Sequence, residues 1–163
     1  MAIMRIQRIV FCVAFAAIVF SFNKVYAQLH TVSFAELDSL QKVEQRNVVL
    51  FIHTDWCKYC IQMKSTTFRN DSVVNVLNKL FYVVDLNAES KKVITYGGYE
   101  FKFKPTGSNT GIHELAEQLG MINGKLDFPT VSVLNAKNEI VFQNVGLLQT
   151  DELLAVLMAL QKK

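Results

Sequence analysis

The chain has 163 residues, of which 51% are hydrophobic and 19% charged, and it carries a formal net charge of +3. The excess positive charge comes from Arg5, Arg8 and Lys24, so the sequence beyond residue 27 balances 14 basic against 14 acidic residues. That balance excludes an electrostatic surface for nucleic acid or anionic lipid, and the remaining length fits one domain with a substantial core.

Arg5 and Arg8 precede an uncharged apolar stretch of fourteen residues, Ile9 to Phe22, followed by Lys24 and by Val25 and Ala27 around Tyr26. This is the layout of a secretory signal peptide cleaved after Ala27, and the stretch is short of the roughly 20 residues of a spanning helix. The expected division is 1–27 leader and 28–163 domain. The uncleaved alternative is a membrane anchor.

Gln28 to Val32 reads as a lead-in. Ser33 and Glu36 have capping-box spacing, and Phe34, Leu37, Leu40 and Val43 recur at helical intervals, predicting a helix from Phe34 to about Gln45. Asn47 to His53 is a strand buried on both faces, which requires covering layers on both sides. A helix from Cys57 to Thr67 follows, then a second helical piece capped by Asp71 and a buried strand from Phe81 to Leu86. The default for this order is a right-handed parallel crossover. Residues 90–111 read as an insertion: alternating runs joined by Gly97-Gly98 form a hairpin, and Pro105 to Gly111 form a loop. A helix over 112–119 is expected to be capped by Asn109 or Thr110. Thr130–Leu134 and Glu139–Gln143 form a closing hairpin, and Thr150 caps a final helix bearing Leu153, Leu154, Leu157 and Leu160.

Beyond residue 27 the only cysteines are Cys57 and Cys60. A bridge across two residues closes almost no loop and adds little stability, so the pair points to chemistry. Cys57 at the start of a helix meets unpaired N–H groups and the positive end of the dipole, with Lys58 adding charge of the same sign. Those features favour the thiolate. Cys57 is therefore assigned as nucleophile and Cys60, one turn on, as the resolving thiol. A zinc half-site is the other reading of this spacing, but His30, His53 and His113 are not paired at ligand spacing.

Trp56-Cys57-Lys58-Tyr59-Cys60, Phe128-Pro129-Thr130 and Val145-Gly146 before the final helix resemble the thioredoxin superfamily across nearly all of residues 47–163. Over about twenty residues, Asp55-Trp56-Cys57 with Thr67-Phe68 is similar to two exported groups, the C-terminal domain of transmembrane disulfide-interchange reductases and small periplasmic thioredoxin-like proteins. The resemblance implies an α/β, thioredoxin-like three-layer sandwich with a mixed four- or five-stranded sheet. It also implies a cis Phe128–Pro129 bond beside the sulfurs and substrate contacts from Trp56, Tyr59, Phe128 and Pro129. Activity would be thiol–disulfide exchange in the periplasm or cell envelope, in the reductase direction. Oxidase, isomerase and non-catalytic binding or chaperone roles are the alternatives. Partners would be protein thiols or disulfides and a separate redox protein, with the chain a monomer needing no cofactor and no metal.

The sequence departs from the family at two places. The buried acid that many thioredoxins carry six residues before the first cysteine is Phe51, and the acid seven residues after it in interchange reductases is Lys64. His53 and Asp55 are the nearest replacements. His53, with Lys58, is a candidate for tuning the pair or else a strand-end packing residue, and Asp55 reads as a solvated turn residue. The insertion serves either to select substrate or to cover a sheet edge.

Overall fold

A computed structural model describes residues 27–161; the expected leader up to Tyr26 lies outside the described residues. Helix α1 (Phe34–Val43) is opened by the predicted capping box: Ser33 Oγ accepts from the Glu36 N–H, and the Glu36 carboxylate accepts from the Ser33 N–H at 2.7 Å. It stops two residues before the predicted end. The Gln41 side chain donates to the Arg46 carbonyl and accepts the Arg46 N–H, which turns the chain at Glu44.

The central strand β1 (Asn47–His53) pairs in parallel with β2 (Phe81–Asn87) and antiparallel with β7 (Thr130–Leu134), which pairs with β8 (Ile140–Val145). The sheet is mixed and four-stranded, in the order β2-β1-β7-β8. Alternate residues of β1 enter different cores. Val49 and Phe51 pack with Met63 of α2 (Lys58–Ser65), Val73 and Leu77 of α3 (Asp71–Leu80), and Leu153 and Leu157 of α5 (Thr150–Gln161). Val48, Leu50 and Ile52 face Phe34 and Leu37 of α1 and Leu115 and Ala116 of α4 (Glu114–Gly120). Two helix layers around one sheet give the expected α/β sandwich.

Several helix starts differ from expectation. Cys57 is the N-cap of α2, which ends at Ser65 before a 3-10 turn, Thr67–Arg69. Asn70, rather than Asp71, caps α3: its side chain accepts from the Ser72 and Val73 N–H groups, leaving Asp71 in the first turn where its charge suits the dipole. Thr150 is already helical, and the Glu152 carboxylate reaches back to the Gln149 N–H at 2.8 Å.

The insertion holds two hairpins. Strands β3 (Ile94–Tyr96) and β4 (Tyr99–Phe101) turn at Gly97-Gly98, both at positive φ as this tight turn demands. Strands β5 (Phe103–Pro105) and β6 (Gly111–His113) form a second hairpin where a loop and the start of a helix were expected. Helix α4 therefore begins at Glu114, and the cap is His113, whose Nδ1 accepts from the Leu115 N–H. Its Nε2 then faces the Lys92 carbonyl at 3.0 Å as donor. Neither hairpin joins the central sheet. Tyr96 is buried against Phe34 on the α1 face, and its hydroxyl donates to Asn138 Oδ1 at 2.6 Å. The edge of β2 is met by the lead-in, where the Val32 N–H donates to Val83 O at 2.8 Å and Asn78 ties down Gln28 and His30. Just past β2 the Ala88 carbonyl accepts the His113 N–H of the second hairpin at 2.7 Å.

Candidate active site

The site forms where β1 ends. The pairing of Ile52 with Thr130 brings Pro129, immediately before β7, to that same end of the sheet. The Phe128–Pro129 peptide bond is cis, and Pro129 is buried, with its carbonyl accepting from the Gly146 N–H at 2.8 Å. Thr54 to Trp56 make the turn into α2, and the Cys57 N–H closes it on the Thr54 carbonyl at 3.3 Å.

Cys57 and Cys60 form a disulfide with Cα atoms 5.2 Å apart. Cys57 Sγ also accepts the Cys60 N–H at 3.1 Å, the position an N-capping side chain takes at a helix start. An anionic sulfur there would receive a charge-assisted bond and face the positive end of the helix dipole. Cys57 and Cys60 are only 5% and 1% exposed. Around them Trp56 and Tyr59 are 67% and 62% exposed, and Trp56 sits edge-on to Phe128 at 6.2 Å. Lys58 is exposed in the first turn of α2.

The sequence positions lacking an acid are packed together. Phe51 stacks on His53 at 5.4 Å, meets Phe68 edge-on at 4.9 Å and lies under Lys64 Nζ at 5.5 Å. An acid stands directly across the parallel ladder from Phe51: Asp85 of β2. Its Oδ1 is 2.6 Å from His53 Nε2, and its Oδ2 is 2.8 Å from Lys64 Nζ. Burial pushes the Asp85 carboxyl up, but hydrogen bonds and charge from His53 and Lys64 outweigh it and hold the group below its ordinary range. Sequence reasoning passed over Asp85, although a lone acid in the apolar run Phe81-Tyr82-Val83-Val84-Asp85-Leu86 was the signal that could have found it. Asp55 stays mostly in solvent, 4.0 Å from His53 Nδ1.

A model of the thioredoxin-like domain matches residues 34–161. The chain belongs to the thioredoxin-like domain family. Among solved structures, this thioredoxin-like domain is similar to a DsbH oxidoreductase (17% identity, TM-score 0.58, 88% of this chain and 92% of that one). It is also similar to a thioredoxin from Thermus thermophilus (22%, TM-score 0.58, 82% and 87%). A putative disulphide-isomerase from Bacteroides thetaiotaomicron matches at 20% identity with TM-score 0.54, over 83% of this chain and 93% of that one. At these identities the likeness is one of fold. Comparison with curated proteins finds no match. A closed Cys57–Cys60 pair within a thioredoxin-like domain supports thiol–disulfide oxidoreductase chemistry.

Proposed function

We propose that this thioredoxin-like domain reduces disulfides of exported proteins in the periplasm or cell envelope, as a monomer released from its leader after Ala27. The observation that carries the chemistry is Cys57 Sγ at the helix cap, accepting the Cys60 N–H inside a closed disulfide. In the reduced protein the Cys57 thiolate attacks a substrate disulfide and forms a mixed disulfide, expelling one substrate thiolate. Cys60 then attacks Cys57 Sγ, closes the internal disulfide and releases the second thiolate. Two electrons pass to the substrate. The exposed rings of Trp56 and Tyr59, with Phe128 and the segment before Pro129, are the proposed docking surface, and an extended substrate segment would pair there by β-augmentation.

The reductase direction rests on the resemblance to interchange-reductase domains. With no further cysteine beyond residue 27, electrons must arrive from a separate redox protein. Insulin reduction with dithiothreitol tests the activity. Turnover that is lost in Cys57→Ser supports it, and turnover unchanged by that substitution leaves a binding module on the same fold. The reduction potential tests direction: a value near about −270 mV indicates a reductant and one near about −120 mV an oxidant.

A further inference from the structure

The lead-in, β1, β2, the end of α2 and the 3-10 turn together line a cavity of about 650 Å³. That volume lies within the roughly 300–1,000 Å³ of small-molecule sites. One wall is apolar: Phe51 and Phe68 meet edge-on at 4.9 Å, and Val83 and Leu29 pack in the same cluster. The lead-in side is held in place by Asn78. Its side chain donates to the Gln28 carbonyl and accepts the His30 N–H, both at 2.9 Å. Contacts between residues some fifty positions apart therefore shape the cavity.

Three charged side chains line the same space: Lys64, Arg69 and Asp85. Asp85 is fully engaged, with Oδ2 2.8 Å from Lys64 Nζ and Oδ1 2.6 Å from His53 Nε2. The charges of Lys64 and Asp85 cancel, and the one left over is that of Arg69. Arg69 is exposed and has no ion-pair partner among the described residues. A guanidinium is a planar fork that matches a carboxylate through two parallel bonds. An apolar wall beside one uncompensated cation is complementary to an apolar body ending in one negative charge. A peptide suits the cavity less well. The Val32 N–H already donates to the Val83 carbonyl, so a main chain entering here would find the edge of β2 taken.

We propose that this cavity binds a small free monocarboxylic acid with an apolar body. Arg69 receives the carboxylate, and Leu29, Phe68 and Val83 hold the apolar part. The site is distinct from the docking surface of Trp56 and Tyr59, and it does not depend on exchange at Cys57.

Two dyes that share one ring system separate the apolar contribution from the ionic one. Anilinonaphthalene sulfonate carries a negative charge and phenylnaphthylamine carries none, and both brighten on leaving water. Titrated into the protein released from its leader, the sulfonate dye should bind once per chain and more tightly than the neutral dye. Decanoate should displace it. Arg69→Gln should weaken the sulfonate dye and decanoate by about fivefold and leave the neutral dye unchanged. Leu29→Ser should weaken both dyes, and circular dichroism establishes that each variant is folded. Sulfonate binding that is unchanged in both folded variants would place the dye elsewhere and overturn the inference. Decanoate that fails to displace the dye, or a neutral dye that binds equally well, would overturn it too.

Discussion

The Trp56 indole donates from Nε1 to the Glu89 carboxylate at 3.1 Å, joining the turn before Cys57 to the turn after β2, 33 residues away in the chain. Trp56 is the one tryptophan in the sequence. A neighbouring disulfide quenches an excited indole by accepting its electron, so reducing Cys57–Cys60 should raise the emission. Glu89→Ala should lower the emission anisotropy by freeing the ring. Emission that is indifferent to dithiothreitol would contradict the placement of Trp56 beside the sulfurs.

The depressed Asp85 carboxyl ties stability to acid. A group whose folded-state value lies below its unfolded value of about 3.9 stabilises the fold above that pH and loses the contribution as pH falls through the folded value. Urea midpoints measured from neutral pH downward should therefore decline on the acid side. Asp85→Asn should start from a lower neutral midpoint and decline less. Parallel curves for the two proteins would mean that the His53–Asp85–Lys64 contacts do not form in solution.

Leu157 is fully buried between α5 and the sheet, whereas Leu154 on the same helix is only partly buried. Leu157→Ala leaves a void and should cost about 2–5 kcal/mol. Leu154→Ala should cost distinctly less. Chemical denaturation of the two variants checks the order.

Gly111 begins β6, and a Cβ there would collide with the Phe103 ring and the Lys104 carbonyl. Gly111→Ala should loosen the β5–β6 hairpin, with a cost of about 1–3 kcal/mol. Hairpin and cysteines contact opposite faces of the sheet, so the reduction potential should stay at the wild-type value. A shifted potential would show that the insertion communicates with the redox pair.

Local signals in the sequence were strong wherever the deciding partners lie within a few residues. Ser33 and Glu36 announce α1, and Gly97-Gly98 announce the first hairpin, because cap and turn bonds are short-range. The β5–β6 hairpin was not legible: Gly111 to His113 pair with Phe103 to Pro105, while Ala88 accepts the His113 N–H, and neither partner is implied by the local pattern. The same limit hid Asp85. Its partnership with His53 depends on the parallel register of Phe51 with Asp85, which is set by how two strands separated by α2 and α3 come together. Reading outward from the cysteines located Phe51 and Lys64 as places without an acid, but the acid that meets them enters from the next strand.

The alternation of β1 has an evolutionary corollary. Phe51 supports the cysteine face while Leu50 and Ile52 support the face where Tyr96 and the first hairpin pack. Lengthening, shortening or resurfacing of residues 90–111 would be absorbed on one side of a shared partition, and the reactive centre would be screened from the change. A change in the hairpins thus leaves the packing around the cysteines, on the other face of β1, in place.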